Sequence, residues 1–110
     1  MGLGIKLLQN RQLKTAQSVL RSYDYKIGKV TAKAVPATFA MADYQAFVSL
    51  ARKKQSVASV TITATDDLAA ICKDLQTYGF TSSDQKTWRQ GNMSVVVSTD
   101  KQGRVVVTLR

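Results

Sequence analysis

Eight cations and one ring could act together on a negatively charged ligand: Arg11, Lys14, Arg21, Lys26, Lys29, the run Arg52-Lys53-Lys54, and Tyr25. Arg11, Lys14 and Arg21 fall with Ser18 at the three- and four-residue steps of one helix face. Lys26, Lys29 and Lys33 follow directly. Ammonium and guanidinium groups spaced in this way neutralise successive phosphates, the contacts that dominate nucleic-acid affinity at physiological salt. Tyr25 beside Lys26, and Trp88 beside Arg89, are the places where a ring neighbours a cation and could stack on a base. Tyr23 and Trp88 are expected in the core, because one completes an apolar helix stripe and the other stands in a strand. Tyr25 is the ring assigned to the ligand.

Other chemistries find little support. The chain has no His and no Glu; its acids are seven Asp, and Cys72 is its one cysteine. No metal is expected, since the Asp residues lack ligand spacing and thiolate and imidazole donors are nearly absent. Asp66 and Asp67 read as charge at the start of a helix. Without His there is no ordinary general base or nucleophile activator. Glycine-rich phosphate loops and nucleophile elbows are also missing. Gly2-Leu3-Gly4 has no preceding strand, and Cys72 on an apolar helix face reads as a small hydrophobe. Neither catalysis nor a cofactor is expected.

Charge is unevenly placed. Of the net +9, residues 1–55 carry +8 (ten Lys/Arg against Asp24 and Asp43) and residues 56–110 carry +1 (six against five). Solubilising charge usually mixes its signs, so a one-sided excess points to an anionic partner. A single cysteine excludes an internal disulfide and suits a reducing compartment. The apolar stretch at residues 1–8 is interrupted by Lys6 and is too short for a signal h-region. Residues 1–23 hold four cations and no acid, a balance shared with mitochondrial presequences, but they are read here as part of the folded domain. No apolar run approaches the roughly 20 residues of a membrane span. A cytoplasmic protein is expected.

The elements that must position these residues follow from periodicity. Asn10 is expected to cap a helix over 11–24, with Leu13, Ala16, Leu20 and Tyr23 inward and the basic stripe outward. Residues 25–35 read as extended, with Pro36 stopping the strand. A second helix is expected over 42–54, with Met41, Tyr44, Val48 and Ala51 as its stripe, Phe47 and Leu50 beside it, and Arg52-Lys53-Lys54 at its C-terminus. Residues 57–65 alternate, with Ala58, Val60, Ile62 and Ala64 inward and Ser59, Thr61, Thr63 and Thr65 outward. Thr65 then caps a third helix with Leu68, Ile71, Cys72 and Leu75 as its core face, closed by Gly79 and Phe80. Three strands complete the chain, with a Gly91-Asn92 turn and an Asp100–Gly103 link. The runs Val95–Val97 and Val105–Val107 predict cover on both sheet faces, by helices and by a partner. With Val107–Leu109 exposed as a terminal edge, two copies could meet through this C-terminal sheet.

The expectation is one α+β domain: about three helices on an antiparallel sheet of four or more strands, basic and helical over 1–55 and β-α-β-β-β over 56–110. The functional expectation is a small, non-catalytic, largely sequence-nonspecific nucleic-acid-binding protein acting on DNA or RNA phosphates. The competing reading is a protein-interaction module, a small inhibitor or adaptor of the kind phages encode, docking the same basic face on an acidic partner.

Overall fold

The computed structural model describes residues 2–9, 11–39, 45–50, 56–64 and 67–110. Three helices pack on one seven-stranded antiparallel sheet. The helices are α1 (Gly2–Gln9), α2 (Leu13–Ser22) and α3 (Leu68–Thr77). The strands are β1 (Tyr25–Ile27), β2 (Ala34–Phe39), β3 (Gln45–Leu50), β4 (Val57–Thr63), β5 (Thr87–Gln90), β6 (Met93–Thr99) and β7 (Val105–Leu109). Their order across the sheet is β1-β2-β3-β4-β7-β6-β5. The expected class, about three helices on an antiparallel sheet of four or more strands, is what the structure shows.

Side chains alternate across the sheet. One face carries Val35, Val48, Val60, Leu109, Val95 and Trp88, a row crossing six strands, all buried. A second buried row runs through Ala37, Ala46, Ile62, Val107 and Val97. The helices fill this face: Leu3, Leu7, Ala16, Leu20, Ile71 and Leu75 join the strand residues in one core. Gly4 shows how closely α1 approaches. A Cβ there would stand 2.7 and 2.9 Å from the Leu109 methyls and 3.3 Å from Ile62 Cδ1. An octapeptide helix is marginal alone, so burial against β4 and β7 holds α1.

Several sequence expectations are corrected. The helix expected over 42–54 is replaced at 45–50 by β3, in the interior of the sheet. Ala46, Val48 and Leu50 are buried in alternation while Gln45 and Phe47 are exposed, a period of two. The helix expected from residue 11 starts at Leu13, with Gln12 at its cap position making no side-chain capping bond. Asn10, the expected cap, lies outside the described residues. The helix over 2–9 was not anticipated.

Pro36 lies inside β2 rather than ending a strand before it. Its carbonyl accepts from Gly28 N at 2.9 Å, so its missing N–H faces the place where β1 leaves the ladder. Ala58 is exposed, not inward. Leu50 pairs with Val57 and Ser49 with Ser59, so Ala58 is an extra residue at a bulge, and Val57 takes the buried place.

Asp67 caps α3, its carboxylate accepting from Ala70 N at 2.8 Å. Thr65 and Asp66 lie outside the described residues. Ile71 and Leu75 are buried, whereas Leu68 is 49% exposed and Cys72 half-buried, so the core face is narrower than expected. Gly79 (φ +90°) ends the helix: its N–H donates to Gln76 O and that of Phe80 to Leu75 O, at 3.0 and 2.9 Å. Finally, β7 is an interior strand between β4 and β6, so Val107–Leu109 is not an edge. Helices cover the valine runs on one face, and on the other Val96 is 45% exposed.

Candidate nucleic-acid interface

The outer face of α2 presents Lys14, Ser18 and Arg21 to solvent while Ala16 and Leu20 face the core. The stripe follows from a helical spacing that sets polar positions opposite the apolar ones. Arg21 in the last turn complements the helix dipole. Lys14 does the opposite. It stands in a first turn that has no acid, where a cation opposes the dipole by about 0.3–1 kcal/mol. Helix end and ammonium therefore add to one positive field.

Lys29 and Lys33 are exposed in the connection 28–33. Thr31 shapes that turn: its Oγ1 accepts from Lys33 N and Ala34 N at 3.2 Å each. Lys6 projects from α1 with its Nζ 5.3 Å from the Tyr23 ring centroid, a cation–π contact. Residues 1–33 contain seven Lys/Arg and one acid, Asp24. Among the described residues, none of Lys14, Arg21, Lys26, Lys29 and Lys33 makes an ion pair.

Not every expected residue joins this face. Arg11 precedes α2 and is half-buried. Its carbonyl accepts from Val57 N at 2.6 Å and its Nη1 donates to Val57 O at 3.3 Å, so it ties the α1–α2 junction to β4. Lys26 alternates with Tyr25 and Ile27 on β1, which places it on the sheet face away from the helices. Tyr25 is buried with its ring centroid 5.4 Å from that of Phe39, and burial raises its phenol above the usual value. Buried as it is, Tyr25 offers no open ring face to a base. Trp88 is buried, its indole N–H donating to Gln85 O at 3.2 Å. Arg52, Lys53 and Lys54 lie outside the described residues.

The sheet face opposite the helices was missed. A row crosses it through Pro36, Phe47, Thr61, Thr108, Val96 and Thr87. Phe47 is 47% exposed. Hydroxyls flank the row, and none of the seven strands contains an acid. The outward Ser59, Thr61 and Thr63 were the signal available in the sequence. Placing Phe47 on a helix concealed the rest.

Among the described residues, no group of three Cys or Asp side chains is arranged to hold a metal ion. No described helix is long and apolar enough to cross a membrane. No family model, no curated protein and no solved structure matches the chain.

Proposed function

We propose that this is a non-catalytic, cytoplasmic, largely sequence-nonspecific nucleic-acid-binding protein. It would meet phosphates with Lys14 and Arg21 of α2 and with Lys29 and Lys33 of the following turn. The observation that carries the reading is the exposed Lys14–Ser18–Arg21 stripe, free of acids, with the helix N-terminus adding to the positive field at its Lys14 end. A phosphate backbone needs spread charge and no apolar anchor. A protein partner docked here would be expected to bury a central aromatic or aliphatic residue. Of the described large hydrophobics that are exposed, Phe47, Leu68, Tyr78 and Val96, none belongs to α1 or α2. An adaptor or inhibitor role on an acidic protein is therefore the weaker reading. Exposed Val96 favours a second assembly to test, two copies meeting through the C-terminal strands.

Fluorescence anisotropy with labelled DNA and RNA, from about 50 to 200 mM salt, tests the proposal. Binding should weaken linearly in log–log form, and the double variant Lys14→Asp, Arg21→Asp should lower the slope by about 1.8 on duplex DNA, at about 0.9 per phosphate. An unchanged slope would remove α2 from the interface. No wild-type binding at the low-salt end would end the nucleic-acid reading. Sedimentation of the same protein reports whether copies associate.

A further inference from the structure

The sheet face opposite the helices carries a groove of about 250 Å³ between β1, β2 and β3. Its walls include Lys26, Pro36, Thr38, Gln45 and Phe47. Phe47 is opposite Pro36 on β2 and Thr61 on β4, so its ring stands on an interior strand with backing on both sides. Thr38 lies between Lys26 and Gln45 in the next row. The volume is below the about 300–1,000 Å³ of sites that engulf a small molecule, which suits a flat ring laid on a surface.

One exposed hydrophobic residue needs no explanation by itself. Here it stands in a set. Phe47 offers a π-face, Gln45 and Thr38 offer donors and acceptors, and Lys26 offers a cation at the groove's outer end. An exposed ring beside an amide, a hydroxyl and a lysine is the arrangement that holds unpaired bases.

We infer that the β1–β2–β3 groove binds an unpaired nucleotide of a single strand, with Phe47 stacking on the base, Gln45 and Thr38 contacting its edge, and Lys26 meeting an adjacent phosphate. This rests on the nucleic-acid reading and adds a single-strand-specific site to it. A duplex keeps its bases stacked on one another and cannot use Phe47.

The test compares wild type, Phe47→Ala, Phe47→Trp and the Lys14→Asp, Arg21→Asp double variant. Each is titrated into labelled oligothymidylate, oligouridylate and a duplex of equal length, with far-UV circular dichroism confirming the fold. Phe47→Ala should weaken single-strand binding by about 5- to 150-fold, the worth of one base–aromatic stack, and leave duplex binding unchanged. Phe47→Trp should retain single-strand affinity, with its indole fluorescence quenched by the oligonucleotide. The two oligonucleotides report whether ribose or deoxyribose is preferred. If wild type binds and only the double variant weakens it, the groove is refuted and the α2 face stands. If Phe47→Ala weakens single strand and duplex alike, stacking is refuted. If it instead turns a dimer into a monomer without loss of single-strand binding, the face belongs to a second copy. If wild type binds no polynucleotide, both readings fall.

Discussion

Val48→Ala and Phe47→Ala, compared as a pair, test the largest correction to the fold. In β3 the two side chains point to opposite faces, Val48 fully buried between Val35 and Val60, Phe47 half out of the sheet. Removing two methyl groups from Val48 forfeits about 1.6 kcal/mol at about 0.8 each. The cavity left in a packed core brings the total to about 2–3 kcal/mol. Phe47 loses only its half-covered side, about 1 kcal/mol. For a domain of this size about 4 °C follows each kcal/mol, so Val48→Ala should lower Tm by about 8–12 °C and Phe47→Ala by about 4 °C.

A helix over the same residues reverses the order. Phe47 and Val48 would then both face the core, and a Phe→Ala change there costs about 3–5 kcal/mol. Thermal and urea unfolding, followed by circular dichroism at neutral pH, measure both variants. A Phe47→Ala loss equal to or larger than that of Val48→Ala would refute the strand assignment, and with it the groove. The experiment also establishes that Phe47→Ala folds, on which its binding titration depends.

Three further outcomes follow from the turns and junctions. Asp84 accepts from Lys86 N and Thr87 N at 2.9 and 3.0 Å, and Asp100 from Arg104 N and Gln102 N at 2.9 Å each. These backbone donors, Thr87 foremost for Asp84 and Arg104 for Asp100, hold both carboxyls below the ordinary 3.8. A depressed folded pKa stabilises above the unfolded value, and that stability is lost as pH falls through the folded one. Asp84→Asn with Asp100→Asn should therefore flatten acid unfolding below about pH 3.8, as read by urea midpoints at successive pH values. Gly79→Ala must hold a Cβ at φ +90°, 2.7 Å from Gln90 Nε2, and should cost about 1–2 kcal/mol in chemical unfolding. Arg11→Met removes the bond to Val57 O and should cost about 0.5–1.5 kcal/mol, with a smaller change in the salt slope of binding than Lys14→Met produces.

Where a pattern was local, the sequence carried it. Leu13, Ala16 and Leu20 placed α2, and Gly79-Phe80 announced how α3 ends, because the φ of one residue and the contact of the next suffice. Residues 45–50 were illegible for a physical reason. Apolar side chains at 46, 47, 48 and 50 satisfy both a helix stripe and an alternating strand, and only pairing with distant β2 and β4 decides. Ala58 was misplaced for the same cause, since a bulge is a property of two strands and not of one. For the candidate site, the exposure of Lys14 and Arg21 was readable from helical spacing. The side of the sheet taken by Lys26 was not, because it depends on Tyr25 finding Phe39. Read as a helix, residues 45–50 give no sign that Phe47 stands exposed on an open sheet face.

On the proposed nucleic-acid reading, the division of charge between two faces constrains the form of the ligand. Lys14 and Arg21 lie on the helix side, Lys26 and Phe47 on the sheet side, and the three-residue edge strand β1, against which α2 packs, is what separates them. A ligand that touches both must turn around that edge. Duplex DNA resists bending over about 150 base pairs of persistence length, so it can engage one face at a time. A single strand bends at each nucleotide, so on the proposed reading one such strand is able to meet both the groove and the α2 stripe. Wild type should therefore bind single strands more tightly than duplex of equal length, and that preference should vanish in Phe47→Ala with Lys26→Ala. Equal affinity for the two forms in wild type would mean that one face alone makes the contact.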